Sequence, residues 1–436
     1  MSAAAGRLVE ALESALGPAA IATDAATLQA HAVDGVVPNV VCRPADAEQI
    51  AAVLRLCAEA DAAVVPWGGG TTIALGNLPR RLDVVLTTGR LAALGEHDDA
   101  NLTATVQAGM TLGALQAALR PRGQFLALDP PCPERATVGG VVAANVNGPR
   151  RMAYGGVRDL VIGMKMVLAD GAQIKAGGKV VKNVAGYDMC KLFVGSLGTL
   201  GIITEVTFKM TPLPEEAATV VAGGASEAAF ALVDDLFAST LQPCAIAVMN
   251  RPPAPIPLPG AAAVVAVGVE GFTEAVARHL REITAMAARA GLEAEVVTGS
   301  AHAACWAAVR DFPLPEVSPP AYQEALLRLT VPLGSVAAAV AALSALDGGL
   351  SYVAHAGVGT IWIRAELHRA AEVFSAVGTV AASHRGHAVL AAAPAAVKRD
   401  LDIWGPPPPA LAIMREIKQR FDPRGLLNPG RFVAFL

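Results

Sequence analysis

Three consecutive glycines at positions 68–70 constrain the fold of this chain more than any other feature of its sequence. A β-branched stretch leads through Pro66 and Trp67 into the glycines, and Thr71 and Thr72 follow them. Glycine allows positive φ and a close approach of backbone N–H groups to a ligand. Successive N–H groups form a concave anion site, to which threonine hydroxyls add donors. The segment therefore predicts a phosphate-binding loop, with a simple tight turn as the alternative.

Two further glycine-rich turns follow along the chain. Thr137 stands where a helix N-cap would, ahead of Gly139, Gly140 and an apolar run. A helix start presents free N–H groups and the positive end of the helix dipole, which suits a diphosphate. The third turn, at 195–205, runs into an alternating strand at 206–210. Together the three turns predict one large phosphate-bearing cofactor that touches all of them.

The first loop does not match either common nucleotide-binding pattern. No Lys-Ser/Thr pair closes it as in a P-loop, and no Gly-x-Gly-x-x-Gly opens a helix near it as in a Rossmann fold. The cofactor site is therefore expected in another kind of fold.

Composition excludes several classes of protein. The 436 residues suffice for two or three domains, and the formal net charge of −4 without long Lys/Arg runs gives no footprint for nucleic acid. Six cysteines lack Cys-x-x-Cys spacing, which argues against an iron–sulfur cluster or structural zinc and for a reducing compartment. The sequence has no apolar run of about 18 residues, and its start reads as an amphipathic helix rather than a signal peptide. We expect a cytoplasmic protein with no direct membrane span.

Hydrophobic periodicity predicts α/β organisation on both sides of a proline-containing boundary at 211–214. Before it we predict helices at 46–60 and 112–119 and strands at 62–65, 83–87, 102–106 and 160–168. After it, two strand–helix–strand rounds, 262–298 and 325–366, fit a ferredoxin-like sheet. A last helix, 410–421, ends before Asp422-Pro423.

The order of the three glycine clusters resembles the FAD-binding domain of the vanillyl-alcohol-oxidase/PCMH flavoprotein superfamily. Two segments are more specific: GPRRMAYGGVRDLVIG at 148–163 and GKVVKNVAGYDMCKLFVGS at 178–196 resemble GlcE-type FAD-binding subunits of glycolate oxidase. The tail FDPRGLLNPGR at 421–431 is shared widely by these flavoproteins. The resemblance implies an α/β (α+β) fold. It would have a PCMH-type two-subdomain FAD-binding domain, a ferredoxin-like α/β cap and a C-terminal helix that returns to the FAD domain.

On this resemblance we expect four segments. They are an N-terminal helical segment (1–32), the FAD-binding domain (33–214), a cap domain for substrate or partner (215–404) and the C-terminal helix and tail (405–436). The residues expected to contact FAD are Pro66, Trp67, Gly68, Gly69, Gly70, Thr71, Thr72, Pro131, Thr137, Gly139, Gly140, Ala144, Gly148, Tyr154, Gly198, Gly201 and Ile203. Covalent members of the superfamily carry a histidine where this chain has Thr71, so the resemblance implies non-covalent FAD. Leu197 replaces the acid that many relatives have after the Gly-Ser pair, which puts one polar flavin contact in doubt.

The resemblance also directs attention to the cap, where related 2-hydroxy-acid dehydrogenases carry a metal-binding run of histidines. Here only His355 in AHAGVGTIW (354–362) and His387 in SHRGH (383–387) remain, so no metal site is expected. Both histidines are candidate acid–base groups, with a hydrogen-bonded structural role as the alternative. Arg150 and Arg151 are candidates to clamp a substrate carboxylate.

Other polar residues of the family-specific segments are weaker candidates. Arg158 shares the clamp hypothesis with its neighbours, and for these arginines a flavin-phosphate contact or a surface ion pair is the alternative. Lys182, Tyr187 and Asp188 are suspected on the resemblance alone.

The expected function is that of a FAD-binding subunit of a glycolate/2-hydroxy-acid dehydrogenase complex. Hydride would pass from a small 2-hydroxy acid to flavin N5, and electrons would go on to an iron–sulfur subunit beside a larger flavoprotein paralogue. These partners could hold the chain at the periphery of the inner membrane. One alternative is a non-catalytic flavoprotein scaffold for a catalytic paralogue, which the degenerate cap motif favours. The other is a stand-alone flavin-dependent hydroxy-acid oxidase.

Overall fold

The computed structural model describes residues 3–179, 187–314, 323–346 and 349–436. The α-helices are α1 (Ala3–Leu16), α2 (Ala25–Ala30), α3 (Ala47–Glu59), α4 (Leu112–Leu119), α5 (Val138–Ala144), α6 (Arg151–Tyr154), α7 (Val157–Leu160), α8 (Cys190–Phe193), α9 (Ser226–Ala238), α10 (Thr273–Arg289), α11 (Gly299–Asp311), α12 (Val336–Ser344), α13 (Ala370–Ser383), α14 (Ala395–Lys398) and α15 (Leu411–Phe421). None of the described helices is both long and apolar enough to cross a membrane.

The strands form three main sheets and one short pair. Those before residue 215 are β1 (Ile21–Ala22), β2 (Val40–Cys42), β3 (Val64–Trp67), β4 (Val84–Thr87), β5 (Leu94–Asp98), β6 (Thr103–Gln107), β7 (Gln124–Phe125), β8 (Val161–Val167), β9 (Gln173–Gly177), β10 (Ile202–Lys209) and β11 (Thr211–Pro212). Those after it are β12 (Glu216–Gly224), β13 (Ala245–Met249), β14 (Ala263–Gly271), β15 (Glu293–Thr298), β16 (Glu324–Thr330), β17 (Ser351–His355), β18 (Thr360–Glu366) and β19 (His387–Ala392).

The first subdomain is a four-stranded sheet in the order β1-β2-β4-β3, in which β2, β4 and β3 run parallel. Its short valine-rich strands are largely buried, as expected for parallel strands covered on both faces. Helix α3 begins where Asp46 accepts the N–H of Gln49 at 2.8 Å, which confirms the predicted helix start. From residue 3 onward the N-terminal segment contacts this subdomain, since α1 packs on α3 and β1 pairs with β2; we propose that it belongs to the FAD-binding domain rather than standing apart.

The second subdomain is an antiparallel five-stranded sheet in the order β5-β6-β10-β8-β9. Its central strands match predicted runs, whereas β5 and β9 were not predicted. The sequence of β5 is LGEHD and that of β9 is QIKAG, so neither carries a β-branched apolar pattern. Their partners in the sheet, rather than their own propensity, make them strands.

The cap is one eight-stranded antiparallel sheet in the order β15-β12-β14-β13-β17-β18-β16-β19. It consists of two βαββαβ units, β12-α9-β13-β14-α10-β15 and β16-α12-β17-β18-α13-β19. Each unit has ferredoxin-like strand order, and the units join where β13 pairs with β17. The cap is thus ferredoxin-like, as expected, but it contains two ferredoxin-like units in one sheet. Since β12 begins at Glu216, we propose the boundary between the FAD-binding domain and the cap unchanged, between residues 214 and 215.

The C-terminal segment returns to the first two subdomains, as expected. Helix α15 places Phe421 against Phe193, with ring centroids 5.7 Å apart. Beyond it the chain runs beside β3, where Asn428 N donates to Val64 O at 2.8 Å and Val64 N donates to Leu426 O at 2.8 Å. This return brings residues 428–431 next to the first glycine loop.

Candidate functional site

The three glycine-rich turns meet at one narrow groove of about 90 Å³. Fourteen of the residues expected to contact the cofactor line this groove: Pro66, Trp67, Gly68, Gly69, Gly70, Thr71, Thr72, Thr137, Gly139, Gly140, Ala144, Gly198, Gly201 and Ile203. The groove therefore lies where strand β3 ends, where α5 begins and where the chain enters β10.

The first glycine loop supplies free donors. Within the described part of the chain, the backbone N–H groups of residues 68–72 make no hydrogen bond. Gly70 has φ 71°, whereas Gly68 and Gly69 do not adopt positive φ. At those two positions glycine is required because there is no room for a side chain. A Cβ at Gly68 would overlap Thr137 Oγ1, and one at Gly69 would overlap the carbonyl of Arg135. The loop thus combines one left-handed residue with a close approach of two backbone segments.

The start of α5 differs from the expectation. Thr137 does cap the helix, accepting the N–H of Gly140 at 3.4 Å. However, Val138 N donates to Met110 O at 2.9 Å and Gly139 N donates to Ala108 O at 2.7 Å. The first-turn amides are therefore already used, and the free backbone amides of this groove are those of the glycine loop.

The tail adds two residues to the groove that sequence reasoning missed, Asn428 and Arg431. Asn428 Nδ2 donates to Leu197 O at 2.7 Å, while its Oδ1 is buried and has no partner among the described residues. Leu197 itself has φ 52° and forms the turn through its backbone. A buried acceptor, five free amides and threonine hydroxyls in one groove fit the polar groups of a dinucleotide cofactor. The shared tail motif was the available signal for Asn428 and Arg431.

A second, wider cavity of about 410 Å³ adjoins the groove at residues 70–72 and is closed on its other side by the cap. Pro131 and Ala144, expected to contact the cofactor, line this cavity. Its charged lining residues, among those described, are the arginines Arg135, Arg151 and Arg328, with no acid and no histidine. A cavity with this lining attracts anions.

Arg328 is the cationic group of the cap wall, and sequence reasoning missed it. It lies on β16 with its guanidinium 5.8 Å from the ring centre of Trp362 on β18. Burial, and then Arg151, lower its pKa from the ordinary value, but an arginine remains charged. Arg151 approaches from the FAD domain, so two guanidinium groups from different domains face the same space. A carboxylate between them would offset their repulsion.

The two candidate histidines lie at the ends of one row of residues across the cap sheet. His355 is opposite Thr360, Thr360 is opposite Thr330, and Thr330 is opposite His387. Directly opposed residues share a face of a sheet, and both threonines line the second cavity. Four strands about 4.8 Å apart separate the row's ends by roughly 15 Å, so the histidines flank the cavity without meeting.

The two histidines differ in surroundings. His355 is 2% exposed, its Nε2 has no partner within the described residues, and burial lowers its pKa to about 4. His387 is exposed at the start of β19. Partial burial and then Arg328 lower its pKa, while Asp402 acts in the opposite direction. Both rings are therefore neutral near pH 7, and His387 is the one that solvent reaches.

Arg150 points away from the second cavity. Its Nη2 lies 2.8 Å from Glu270 Oε2, and Tyr154 OH donates to Glu270 Oε1 at 2.6 Å. Asp129 accepts the N–H of Arg150 at 3.0 Å, and a Cβ at Gly148 would overlap Asp129. Gly148 and Tyr154 line neither the groove nor the second cavity. These residues connect the FAD domain to cap strand β14.

The remaining candidates do not gather at the site. Arg158 is exposed on α7, where its carbonyl accepts from Lys191. Tyr187 is 95% exposed, and Lys182 lies outside the described residues. Among the residues described, no group of three or more His, Cys, Asp or Glu side chains is arranged to hold a metal ion.

Comparison with known proteins agrees with this geometry. The FAD binding domain family matches residues 38–177, and the C-terminal domain family of FAD linked oxidases matches 406–432. The chain is 32% identical to glycolate oxidase subunit GlcD of Bacillus subtilis (strain 168) over 91% of its length and 89% of that protein. It is 44% identical to glycolate oxidase subunit GlcE of Escherichia coli (strain K12), over 27% of this chain and 34% of that protein.

Solved structures share the fold at low identity. The crystal structure of p-cresol methylhydroxylase with substrate bound superposes with a TM-score of 0.75. The match covers 99% of this chain and 97% of that one at 15% identity. At this identity the likeness speaks for the fold alone.

Proposed function

The chain belongs to the FAD-linked oxidases and is an FAD-dependent oxidoreductase, and on this premise we propose that it is a FAD-binding subunit of a glycolate or related 2-hydroxy-acid dehydrogenase. The full-length likeness to one glycolate oxidase subunit and the partial likeness to another support this assignment. The observation that carries it is the pair Arg151 and Arg328, which face one cavity beside the cofactor groove.

The cofactor would be bound without a covalent link. We propose that the free amides of residues 68–72 hold its diphosphate and that Asn428 and the turn at 197–203 contact the rest. Bound FAD supplies a hydride acceptor next to the second cavity. Thr71, where covalent relatives have histidine, cannot form that link.

The chain's own residues would bind and orient the substrate. Arg151 and Arg328 clamp the carboxylate between two domains, which fixes the neighbouring carbon near the groove. Thr330 and Thr360 line the cavity beside Arg328 and can hydrogen-bond the substrate hydroxyl. His387, neutral near pH 7 and next to Thr330 in the row, is the better placed of the two histidines to accept the hydroxyl proton.

We propose that electrons leave through partner subunits. The relatives are named as subunits of glycolate oxidase, and the six cysteines of this chain are free thiols, five of them buried. Buried, dispersed thiols do not supply the four convergent thiolates that an iron–sulfur cluster requires. An iron–sulfur subunit and a larger flavoprotein paralogue are the partners that we propose.

One observation favours a second candidate function, that of a flavoprotein scaffold for a catalytic paralogue. The described lining of the second cavity contains no histidine or carboxylate, so the hydroxyl would lack a general base in direct contact. Loss of a positioned base commonly reduces rate by about 10²–10⁴.

The test is anaerobic mixing of the holoprotein with glycolate or D-lactate, followed at the flavin absorbance band. We expect slow bleaching alone and faster bleaching with co-purified partners. Arg328→Met should raise the half-saturating substrate concentration about 10–100-fold, because hydrogen bonds to charged groups contribute about 1.5–3 kcal/mol.

The exposed Arg278 of α10 provides the matched control, and Arg278→Met should change nothing. Fast bleaching of the isolated chain that is lost in His387→Ala would contradict the scaffold function. Absence of any spectral response to hydroxy acids, alone or with partners, would contradict the proposed substrate class.

A further inference from the structure

The cap wall of the second cavity is an apolar surface around one cation. Strands β16 and β18 present alternate residues to it: Leu326, Arg328 and Thr330 from one strand, Thr360 and Trp362 from the other. Ala391 and Ala392 of β19 extend the apolar side, and Pro313 and Leu314 contribute from the loop after α11. The wall therefore has a polar end at the threonines and an apolar end at Leu326, with Arg328 between them.

Trp362 forms the centre of the apolar part. It is directly opposite Arg328 in the register, and its ring lies beside the guanidinium. The indole Nε1 is buried with no hydrogen-bond partner among the described residues. The contact with the aromatic ring fixes the guanidinium and leaves one side of the ring to the cavity.

A two-carbon hydroxy acid would use only part of this wall. Its carboxylate would occupy the arginines and its hydroxyl the threonines, which leaves the apolar part facing water at a cost in free energy. Among the described lining residues, the apolar end offers no cation to a second carboxylate, since Arg135 lies on the cofactor side, with Nη2 3.5 Å from Gly69 O. Arg364, opposite Leu326, is not in the lining and donates to the carbonyls of Phe312 and Leu314. A ligand with an apolar side chain would cover this apolar surface and remove it from water.

Building on the proposed function, we infer that the substrate is a 2-hydroxy acid with an apolar side chain of branched or aromatic type. Its carboxylate binds Arg151 and Arg328, and its side chain packs on Trp362, Leu326 and Ala391. Trp362 is thus a specificity-determining residue for the same site. Each methylene buried on this wall should tighten binding about fourfold.

The experiment is equilibrium titration of the FAD-loaded protein, read as the perturbation of the flavin absorbance band, so that it does not depend on turnover. The probes are glycolate, 2-hydroxyisocaproate, 3-phenyllactate and 2-hydroxyglutarate, each as separate enantiomers where they exist. We expect 3-phenyllactate and 2-hydroxyisocaproate to bind at least tenfold more tightly than glycolate and 2-hydroxyglutarate.

Two variants test whether the cap wall causes the preference for apolar hydroxy acids. In Trp362→Ala the affinity ratio of 3-phenyllactate to glycolate should fall about tenfold. Ala391→Leu, which fills the apolar end without removing the tryptophan, should lower the same ratio even if the first variant folds poorly. Trp306→Ala, the same substitution in a separate cleft of the cap, should leave the ratio unchanged.

The outcomes separate this inference from the proposed function. Glycolate or 2-hydroxyglutarate binding as tightly as 3-phenyllactate would overturn the inference and leave the proposed function standing. An unchanged ratio in both cavity variants would also overturn it. If no hydroxy acid perturbs the flavin, the proposed function fails and the inference fails with it.

Discussion

His355, which is buried, and Arg328, which is half-buried, are cationic residue types in one sheet, yet their surroundings affect them differently. The guanidinium keeps its charge and faces the second cavity, whereas the imidazole loses its proton. His355 is therefore neutral in the folded protein, and its protonation lowers the free energy of unfolding. This difference has a measurable consequence for stability.

We expect His355 to reduce stability as the pH falls from 6.5 to about 4. The pKa of its ring is about 4 when folded and near 6.5 in its ordinary state, so the unfolded chain binds the proton more tightly between those values. At 1.36 kcal/mol per pH unit, the loss reaches about 2 kcal/mol at pH 5. Urea titrations of the wild type and His355→Gln at pH 7.5 and pH 5 measure it.

Asp129 makes the variant comparison necessary. Burial raises the pKa of its carboxyl to about 6, so over the same range the folded chain binds that proton more tightly and gains stability as the pH falls. The two contributions oppose each other in the wild type, and only the difference from His355→Gln isolates the histidine. Equal pH dependence of the two proteins would refute the assignment.

At the scale of single residues, the sequence predicts which residue types the site contains better than it predicts where each side chain points. Arg150 and Arg151 are adjacent and were equal candidates, but Arg150 pairs with Glu270 while Arg151 lines the cavity. Arg328 gave a weak signal, a single charge within the apolar strand ALLRLTV. Nothing in one sequence shows which face of a distant strand closes the cofactor groove.

At the scale of elements, the first glycine loop depends on its neighbour in space as much as on its own backbone. The loop at 68–70 lies so close to 135–137 that Cβ atoms have no room at Gly68 and Gly69. The groove's shape is thus fixed by two segments that are far apart in the chain.

Gly69→Val should strongly reduce FAD binding while the chain stays folded. Its side chain would overlap the Arg135 carbonyl and separate the two segments. Overpacking of this kind costs about 1–3 kcal/mol, so we expect flavin affinity to fall at least about tenfold. Flavin content per protein, compared with far-UV circular dichroism, gives the result.

Gly260→Val, at a loop glycine with nothing within 4 Å of its Cβ position, is the matched control and should retain full flavin. Full flavin in Gly69→Val would mean that the loop is only a turn.

Element prediction succeeded where amphipathic or apolar patterns are self-contained. Helix α4 has the predicted bounds, and the two predicted cap rounds end at the last residues of β15 and β18, Thr298 and Glu366. The first half of the first cap unit was harder to predict, because β12, α9 and β13 lie in an alanine- and valine-rich stretch that suits helix and strand alike. Pairing across the sheet decides between them.

At the scale of the whole molecule, one buried ion pair connects three parts of the chain. Lys398 of α14 lies 2.9 Å from Asp34, and the two side chains are 0% and 5% exposed. The same ammonium donates to the carbonyls of Ala74 and Gly76, directly after the glycine loop. The cap thereby fixes the loop that separates the groove from the second cavity.

Lys398→Met should destabilise the protein by about 3–5 kcal/mol, because it leaves Asp34 buried without its counter-charge. Flavin release should also accelerate, since the loop loses its contact with the cap. Asp34→Asn combined with Lys398→Met should recover part of the lost stability. Thermal unfolding and flavin fluorescence measure the two effects.

The exposed pair Arg278–Glu282 provides the comparison, and its disruption should cost less than about 1 kcal/mol. A loss no larger in Lys398→Met than in Arg278→Met would show that the buried pair contributes little.

The junction of the two cap units has a consequence for how such proteins diverge. The units meet through three register pairs between β13 and β17 and occupy separate stretches of the chain. The first unit holds Glu270, which anchors the cap to the FAD domain, and the second holds the wall that faces the second cavity. Under the proposed function, the Glu270 contact and substrate recognition lie in different units, so recombination can exchange the recognising unit between relatives while the unit with the Glu270 contact is inherited unchanged.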